Sequence, residues 1–309
     1  MSRPSPERLA TLLAYHAALL ADARRNRAFL AALRRFAPGR AVLDLGAGSG
    51  VWAVAAARLG ARRVVAVERE RLLLPVIRAL AAEAGVAERV EVVGADARRV
   101  RLRREFDVIV SETVGDEGFE EGIVPLLAFA RQRFLRPGGR LIPRSLTLRA
   151  APVAVPRPGL RPRFLPDRSF QELLVHAPRV ASRPCRLLAR PVTLVEVDLE
   201  STRSAIRLRR LRARFRLRDR ARIGGLLVWA EMTLAPGQRL STREGTSWNP
   251  TLLPVEPLPR GPGTVGFELN WHRRTRHWRV SFVPPGGGIA VREHSLLLAW
   301  GALRRASRR

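Results

Sequence analysis

Lysine is absent from this 309-residue chain. All 56 basic side chains are arginine, set against 27 carboxylates, for a formal charge of +29. Such an excess ordinarily marks a nucleic-acid binder, but the missing lysine argues for another origin. Asparagine is scarce, while Ala, Arg, Leu, Pro and Gly, whose codons are GC-rich, abound. The bias points to a GC-rich bacterial genome. Arginine accumulated in this way is expected to be scattered over the surface, not gathered into a binding patch. A nucleic-acid partner stays open and is not favoured.

Cysteine is nearly absent too. The single Cys185 excludes an intramolecular disulfide framework, fits a reducing compartment and reads as a packing residue. No run of about 18 apolar residues is free of charge, so no membrane span is expected. The apolar opening Leu9–Leu20 contains His16, lacks a small-residue cleavage site and runs on into Asp22 and Arg24. It therefore reads as an amphipathic helix, not a signal peptide. A cytoplasmic protein without a metal site is expected. With 46% apolar residues, the chain can build two domains with their own cores.

The rest is organised around Ala41–Glu70, which reads as strand, glycine turn, helix, strand, acid. Ala41–Leu45 ends in Gly46-Ala47-Gly48-Ser49-Gly50, Val51–Leu59 is helical, Gly60 closes the helix, and Val64–Val67 is a buried strand with Glu68 at its end. Such a βαβ unit holds a ligand crevice at the carboxyl ends of its strands. Dinucleotide sites want G-x-G-x-x-G. Here the spacing is G-x-G-x-G, Asp44 precedes it by two residues and Glu68 follows Gly50 by eighteen. This pattern resembles the class I S-adenosylmethionine-dependent methyltransferases. The resemblance implies S-adenosyl-L-methionine as cofactor, with Asp44, Gly46, Gly48 and Gly50 at its methionine half and Glu68 on its ribose hydroxyls.

Along the chain, Pro6–Phe36 reads as one or two amphipathic helices, with Leu9, Leu12, Leu13, His16, Leu19 and Leu20 on one face. After Glu68 come a helix at Leu72–Ala84, strands at Val90–Val93 and Phe106–Val110, a helix at Gly122–Phe134, and a turn at Leu135–Pro143 leading into a fifth strand. This alternation predicts a doubly wound, mostly parallel Rossmann-like sheet. Beyond Pro143 short alternating runs appear between Pro and Gly breakers: Val192–Leu199, Leu211–Arg218, Leu226–Leu234, Thr264–Trp271, Trp278–Val283 and Ile289–Arg292. They predict an antiparallel β-barrel or sandwich. In Leu211–Arg218 four arginines alternate with Leu211, Ala213, Phe215 and Leu217, the pattern of a half-buried strand with a solvated outer face. Pro156–Pro166 reads as a connector. The expected domains are helices over 1–37, a cofactor domain over 38–145 and a β-barrel over 146–309.

That order of parts resembles the protein arginine methyltransferases, and local motifs agree over about residues 14–300. His16-x-x-Leu19-Leu20-x-Asp22-x-x-Arg25 is similar to the family's H-x-x-M-L-x-D-x-x-R helix. The resemblance implies Arg25 on the cofactor's carboxylate and His16 over the cofactor. Ser111-Glu112 and Glu121 fit the family's double-glutamate loop, which makes them the implied catalytic pair holding a substrate guanidinium. Leu135–Pro143 is similar to its L-x-P-G-G-x-x-x-P segment. Leu240-Ser241-Thr242 and Thr246-Ser247-Trp248 resemble its L-S-T and T-H-W loop, with Trp248 either a wall of the substrate slot or a barrel-core aromatic. A protein or peptide substrate is implied, and a homodimer is open.

The chain also departs from that pattern. Ser247 stands where the family has the histidine that pairs with Asp22, and no aromatic Y-F-x-x-Y motif precedes Tyr15. Thr113-Val114-Gly115-Asp116 replaces W-M-G-Y between the glutamates. The adenine-contacting acid falls on Ala97, leaving Asp96 to serve. Phe170–Val192 is short for a dimerisation arm. Transfer to another nitrogen or oxygen nucleophile (a ribosomal-protein side chain or a small metabolite), or a catalytically silent cofactor-binding module, are the competing readings.

Overall fold

The computed structural model describes residues 6–154, 179–180, 185–202, 208–243, 245–272 and 275–295. The connector at Pro156–Pro166 and most of Phe170–Val192 lie outside them.

The opening segment forms two helices, α1 (Pro6–Ala21) and α2 (Ala23–Phe36), broken at Asp22. Asp22 is the N-cap of α2: its Oδ1 accepts the Arg25 N–H at 2.8 Å, satisfying one of the helix's orphan donors. α2 buries Arg25, Phe29, Ala32 and Leu33, a helical stripe spaced i, i+4, i+7, i+8. α1 differs from the expected face. Leu9, Leu12, His16 and Leu19 are half-buried, no residue is fully buried, and Leu13 and Leu20 are exposed.

The first compact unit comprises 1–146 with 197–206 and 231–248. It holds β1 (Ala41–Leu45), α3 (Val51–Arg58), β2 (Arg63–Glu68), α4 (Leu74–Glu83), β3 (Val90–Gly94), β4 (Phe106–Val110), α5 (Ile123–Arg133) and β5 (Leu135–Ile142). The strands form a parallel sheet in the order β3-β2-β1-β4-β5. β1 and β4 are buried along their whole length, as continuous apolar runs in a parallel sheet should be. Each Val, Leu or Ile removed from water here contributes about 1.5–3 kcal/mol. α3 packs on β1, and its Trp52 stacks on Phe29 of α2 with ring centroids 4.7 Å apart. Strand order reverses between β1 and β4, and a crevice opens at such a switch point.

Leu135–Ile142 is strand throughout, not a turn before one. Its register against β4 jumps from Phe106↔Leu135 to Val108↔Arg140, so Pro137-Gly138-Gly139 are looped out as a bulge within the ladder.

The second unit comprises 147–196, 207–230 and 249–309. It contains a four-stranded antiparallel sheet of Leu211–Leu217, Gly263–His272, Thr275–Phe282 and Ala290–Ser295 in that spatial order. Ala213, Phe215 and Leu217 are buried while Arg212, Arg214 and Arg216 are exposed, as the alternation requires. In the same unit Thr251–Pro254 pairs with Gly225–Val228, and Val153–Ala154 with Arg186–Leu187. Trp229, Leu227, Ala151, Val153 and Leu252 form a core against which Cys185 packs. No described helix is long and apolar enough to cross a membrane.

Candidate active site

The glycine turn lies where β1 ends. Gly46, Gly48 and Gly50 all have positive φ, and an added Cβ would come within 2.7 Å of Thr113 Cγ2, 2.8 Å of His16 Cε1 and 2.7 Å of Ile77 Cγ2 respectively. Only glycine fits that turn. The turn is tied to β2 by Gly46 N–H and Ala47 N–H, which donate to the Val67 carbonyl at 2.9 and 3.1 Å. Glu68 is buried and held on both oxygens: Oε2 accepts from Gly48 N–H at 2.8 Å, and Oε1 from Glu70 N–H at 2.7 Å. Asp96 follows β3, beside Glu68 in the sheet, and accepts from Arg98 N–H at 2.8 Å. Ala97 is half-buried next to it.

Asp44, fully buried, accepts from Ala53 N–H at 3.0 Å through Oδ2. Its Oδ1 has no hydrogen-bond partner among the described residues. Burial pushes this carboxyl up to about 8, against the pull of the Ala53 N–H. Burial also holds the His16 imidazole below its ordinary value, opposed by the nearby Glu68.

Across the switch point, buried Ser111 donates its hydroxyl to the Leu45 carbonyl at 2.7 Å, which fixes the loop after β4 against the turn after β1. Glu112 then meets Arg25. Nη2 of Arg25 pairs with Glu112 Oε2, and the two side chains are 3% and 9% exposed, so this is a desolvated ion pair. Nη1 donates to the Leu19 carbonyl at 3.1 Å and Asn26 Oδ1 at 3.0 Å. The guanidinium also lies over the rings of Trp52 and Trp248, at 5.0 and 5.8 Å from their centroids. Burial raises the Glu112 carboxyl to about 7 even though Arg25 pulls it down.

Two adjacent glutamates close the loop, and they differ. Glu120 is exposed and bends back onto its own loop, its oxygens accepting from Glu117 N–H at 2.7 Å and Phe119 N–H at 2.9 Å. Glu121 is exposed and makes no hydrogen bond among the described residues. Surrounding protein and Glu120 hold its carboxyl above the ordinary range, and its charge is felt at Glu112. The two predicted carboxylates are therefore electrostatic neighbours.

The loop over 242–248 belongs to this same unit. Thr242 Oγ1 donates to the Asp116 carbonyl at 2.7 Å, and Trp248 Nε1–H to the Val114 carbonyl at 2.8 Å. Trp248 is thus buried against the double-glutamate loop. The backbone N–H of Ser247 donates to Asp22 Oδ2. The Asp22 carboxylate still grips this loop, through a backbone donor in place of the histidine side chain. Sequence reasoning missed that link because any residue except proline can supply it. Among the described residues no cluster of His, Cys, Asp and Glu could hold a metal ion.

The sequence profile of the Ribosomal protein L11 methyltransferase (PrmA) family matches residues 28–142, the part that builds the parallel sheet. An "Arginine N(omega)-methyltransferase" of Streptomyces achromogenes subsp. streptozoticus is 30% identical over 275 residues, covering 83% of this chain and 76% of that protein. A "Protein arginine N-methyltransferase 6" of Danio rerio is 35% identical over 115 residues, 37% of this chain and 33% of its own length. Among solved structures, the Trypanosoma brucei PRMT1 enzyme–prozyme heterotetrameric complex with AdoHcy superposes with a TM-score of 0.76 at 19% identity, over 91% of this chain and 97% of that one. Arabidopsis thaliana protein arginine methyltransferase 10 gives 0.77 at 18% identity, over 93% and 99%. These structures share the fold, a Rossmann-like domain with a β-barrel domain. With a relative at 30% identity along 83% of its length, the chain belongs to the S-adenosylmethionine-dependent arginine methyltransferase family.

Proposed function

We propose that this enzyme methylates a guanidinium nitrogen of arginine, with Glu112 and Glu121 holding the guanidinium. The observation that carries the proposal is the buried Arg25–Glu112 pair. A guanidinium already lies against this carboxylate, and a second carboxylate, Glu121, stands nearby without a hydrogen bond among the described residues. An arginine side chain entering from outside is always charged, and Glu121 supplies the anion that Arg25 does not neutralise.

The residues around the glycine turn fit S-adenosylmethionine. The glycine turn, packed against Thr113, His16 and Ile77, lies at the end of the strand that carries Asp44, whose Oδ1 is a buried acceptor lacking a partner among the described residues. Asp44 would accept from the cofactor's ammonium, Arg25 would pair with its carboxylate, and Glu68 would take the ribose hydroxyls. His16 would lie over it, and Asp96 with Ala97 would line the adenine. The cofactor supplies a methyl group on a sulfonium cation. Glu112 and Glu121 offset the charge of two cations brought together, and hold one guanidinium nitrogen in line with the methyl. Glu121, open to water, is the acceptor for the proton that this nitrogen sheds.

A protein or peptide arginine is the leading substrate. Free arginine is the second reading, favoured because a relative that spans most of the chain is named for arginine alone. Supplying labelled cofactor with L-arginine, an arginine peptide or host lysate separates the two readings. Label in none of them would overturn the function.

Two further outcomes follow. Glu68→Ala removes the charged acceptor for the ribose and should weaken cofactor binding by roughly 1.5–3 kcal/mol; unchanged affinity by calorimetry would relocate the site. Duplex DNA should bind weakly, without sequence preference, and be released as salt rises from about 50 to 200 mM. Arg212 is already paired with Glu268, and Arg279 with Glu293. A tight sequence-selective complex would make nucleic acid a substrate candidate.

A further inference from the structure

The four-stranded sheet of the second unit carries more on its outer face than a solvated surface requires. Arg212, Arg214 and Arg216 of Leu211–Leu217 are all exposed there, and the register tells which of them an acid answers. Arg212 lies opposite Glu268 and pairs with it at 2.8 Å; in the same row Arg279 pairs with Glu293. That row is neutral. In the next row Arg214 lies opposite Gly266, followed by Ser281 and Val291, and one row further Arg216 lies opposite Thr264. Neither Arg214 nor Arg216 makes an ion pair among the described residues. The floor beside them is flat: a Cβ added at Gly266 would run into Ser281 Oγ and lie 3.9 Å from Arg214 Cγ. At its far edge the face turns apolar. Val291 is 53% exposed, Val283, just after Thr275–Phe282, 50%, and Ile289, just before Ala290–Ser295, 77%. Neighbouring strands lie about 4.8 Å apart, so the face passes from two guanidiniums to an aliphatic cluster over about 14 Å.

We propose that this face docks a protein partner through a short extended segment, acidic at one end and aliphatic about four residues away. Arg214 and Arg216 take the carboxylates, the hydroxyls of Thr264 and Ser281 lie between, and Val283, Ile289 and Val291 cover the aliphatic end. Charge complementarity selects the acidic end, because these two guanidiniums have no acid of their own on the sheet. Arginine beside an aliphatic patch is also the composition of a protein interface. A single-stranded nucleic acid would need aromatic rings to stack on, and Phe215, Phe267, Trp278 and Phe282 all lie on the buried face of this sheet. The neutral row of Arg212 and Arg279 bounds the surface on one side. This proposal is independent of the double-glutamate reading.

Two labelled, end-blocked peptides probe the full-length protein: Glu-Asp-Gly-Ser-Ile-Leu-Val and the same residues in reverse order, which covers both chain directions. One of them is expected to bind by fluorescence anisotropy, and more weakly as salt rises from about 50 to 200 mM. Replacing its acids by Gln and Asn, or its aliphatic residues by Ser, should weaken binding. Arg214→Ala combined with Arg216→Ala should raise the Kd roughly 2- to 30-fold, the worth of two exposed ion pairs. Ile289→Ser with Val291→Ser should also raise it. Removing the neutral pair, Arg212→Ala with Glu268→Ala, should leave it nearly unchanged. All these side chains are exposed or half-buried, and an unchanged thermal unfolding midpoint in each variant checks that the sheet is intact. Failure of both peptides to bind at millimolar concentration overturns the proposal, as does peptide binding that the Arg214 and Arg216 substitutions leave untouched. Oligothymidylate or phosphatidylserine vesicles that bind more tightly than either peptide, and are released by those same two substitutions, would assign the face to nucleic acid or lipid and overturn the protein partner.

Discussion

Glu112→Gln and Glu121→Gln are each expected to slow methyl transfer sharply while leaving S-adenosylmethionine affinity nearly unchanged. Glutamine keeps the size of the side chain and one acceptor, so Arg25 retains a partner at position 112. What is lost is the charge that offsets a guanidinium and a sulfonium brought into one desolvated site. For Glu112, whose side chain is 9% exposed, leaving a buried cation without its anion costs about 3–5 kcal/mol, roughly a 150- to 5,000-fold fall in rate, and the exposed Glu121 should cost less. The fall should appear in the chemical step. The structure separates the two glutamates: Glu112 is already paired with Arg25, whereas Glu121 has no such partner among the described residues. The Glu121 variant should therefore show the cleaner defect, with no change at the cofactor. Single-turnover transfer to the substrate found with labelled cofactor is the measurement. Near-wild-type rates in both variants would overturn the assignment.

The cofactor half was legible because its signals are local. A glycine turn needing positive φ at Gly46, Gly48 and Gly50, and an acid closing the next strand, leave few alternatives to a βαβ unit. Continuous apolar runs such as Phe106–Val110 become strands buried on both faces. The strict alternation at Leu211–Leu217 became a half-buried strand for an equally local reason. Where the reading stopped short, the missing information was non-local. Ser145–Ala154 is a strand although Pro152 looks like a breaker; its carbonyl still accepts from Leu188 N–H at 2.8 Å, and proline lacks only the donor. The hold of Asp22 on the 242–248 loop uses a backbone N–H, which no side chain announces. Glu120 and Glu121 are adjacent, alike in sequence and both exposed, and only the chain's path commits Glu120 to the loop's own hydrogen bonds. Trp248 could be read as either slot wall or core, and its indole N–H is committed to the Val114 carbonyl.

Arg25→Ala is expected to be the most destabilising single change at the site, and its cost should depend on pH. The substitution strands Glu112 in a pocket where its side chain is 9% exposed, and breaking a buried pair on one side costs roughly 3–5 kcal/mol. The pH dependence follows from two carboxyls whose folded values lie above their ordinary ones, Asp44 at about 8 and Glu112 at about 7. A raised acid binds more protons folded than unfolded, so stability is greatest below the ordinary values of 3.8 and 4.5 and falls as pH climbs toward 7 and 8. Asp44 contributes this slope in wild type and variant, and loses a smaller downward pull when Arg25 is removed. Glu112 changes most, because Arg25 is its partner in the pair: without it the value rises further and the decline continues to higher pH. Denaturant unfolding should therefore show an Arg25→Ala loss that grows between pH 5, where Glu112 is protonated in both, and pH 8 by at most about 1.4 kcal/mol, one pH unit beyond the wild-type value of about 7. Adding Glu112→Gln to Arg25→Ala should remove that pH-dependent part, since it takes away the group that titrates. A loss that is the same at both pH values, and untouched by the second substitution, would mean that Arg25 stabilises the unit by packing on Trp52 and Trp248 and not through its charge.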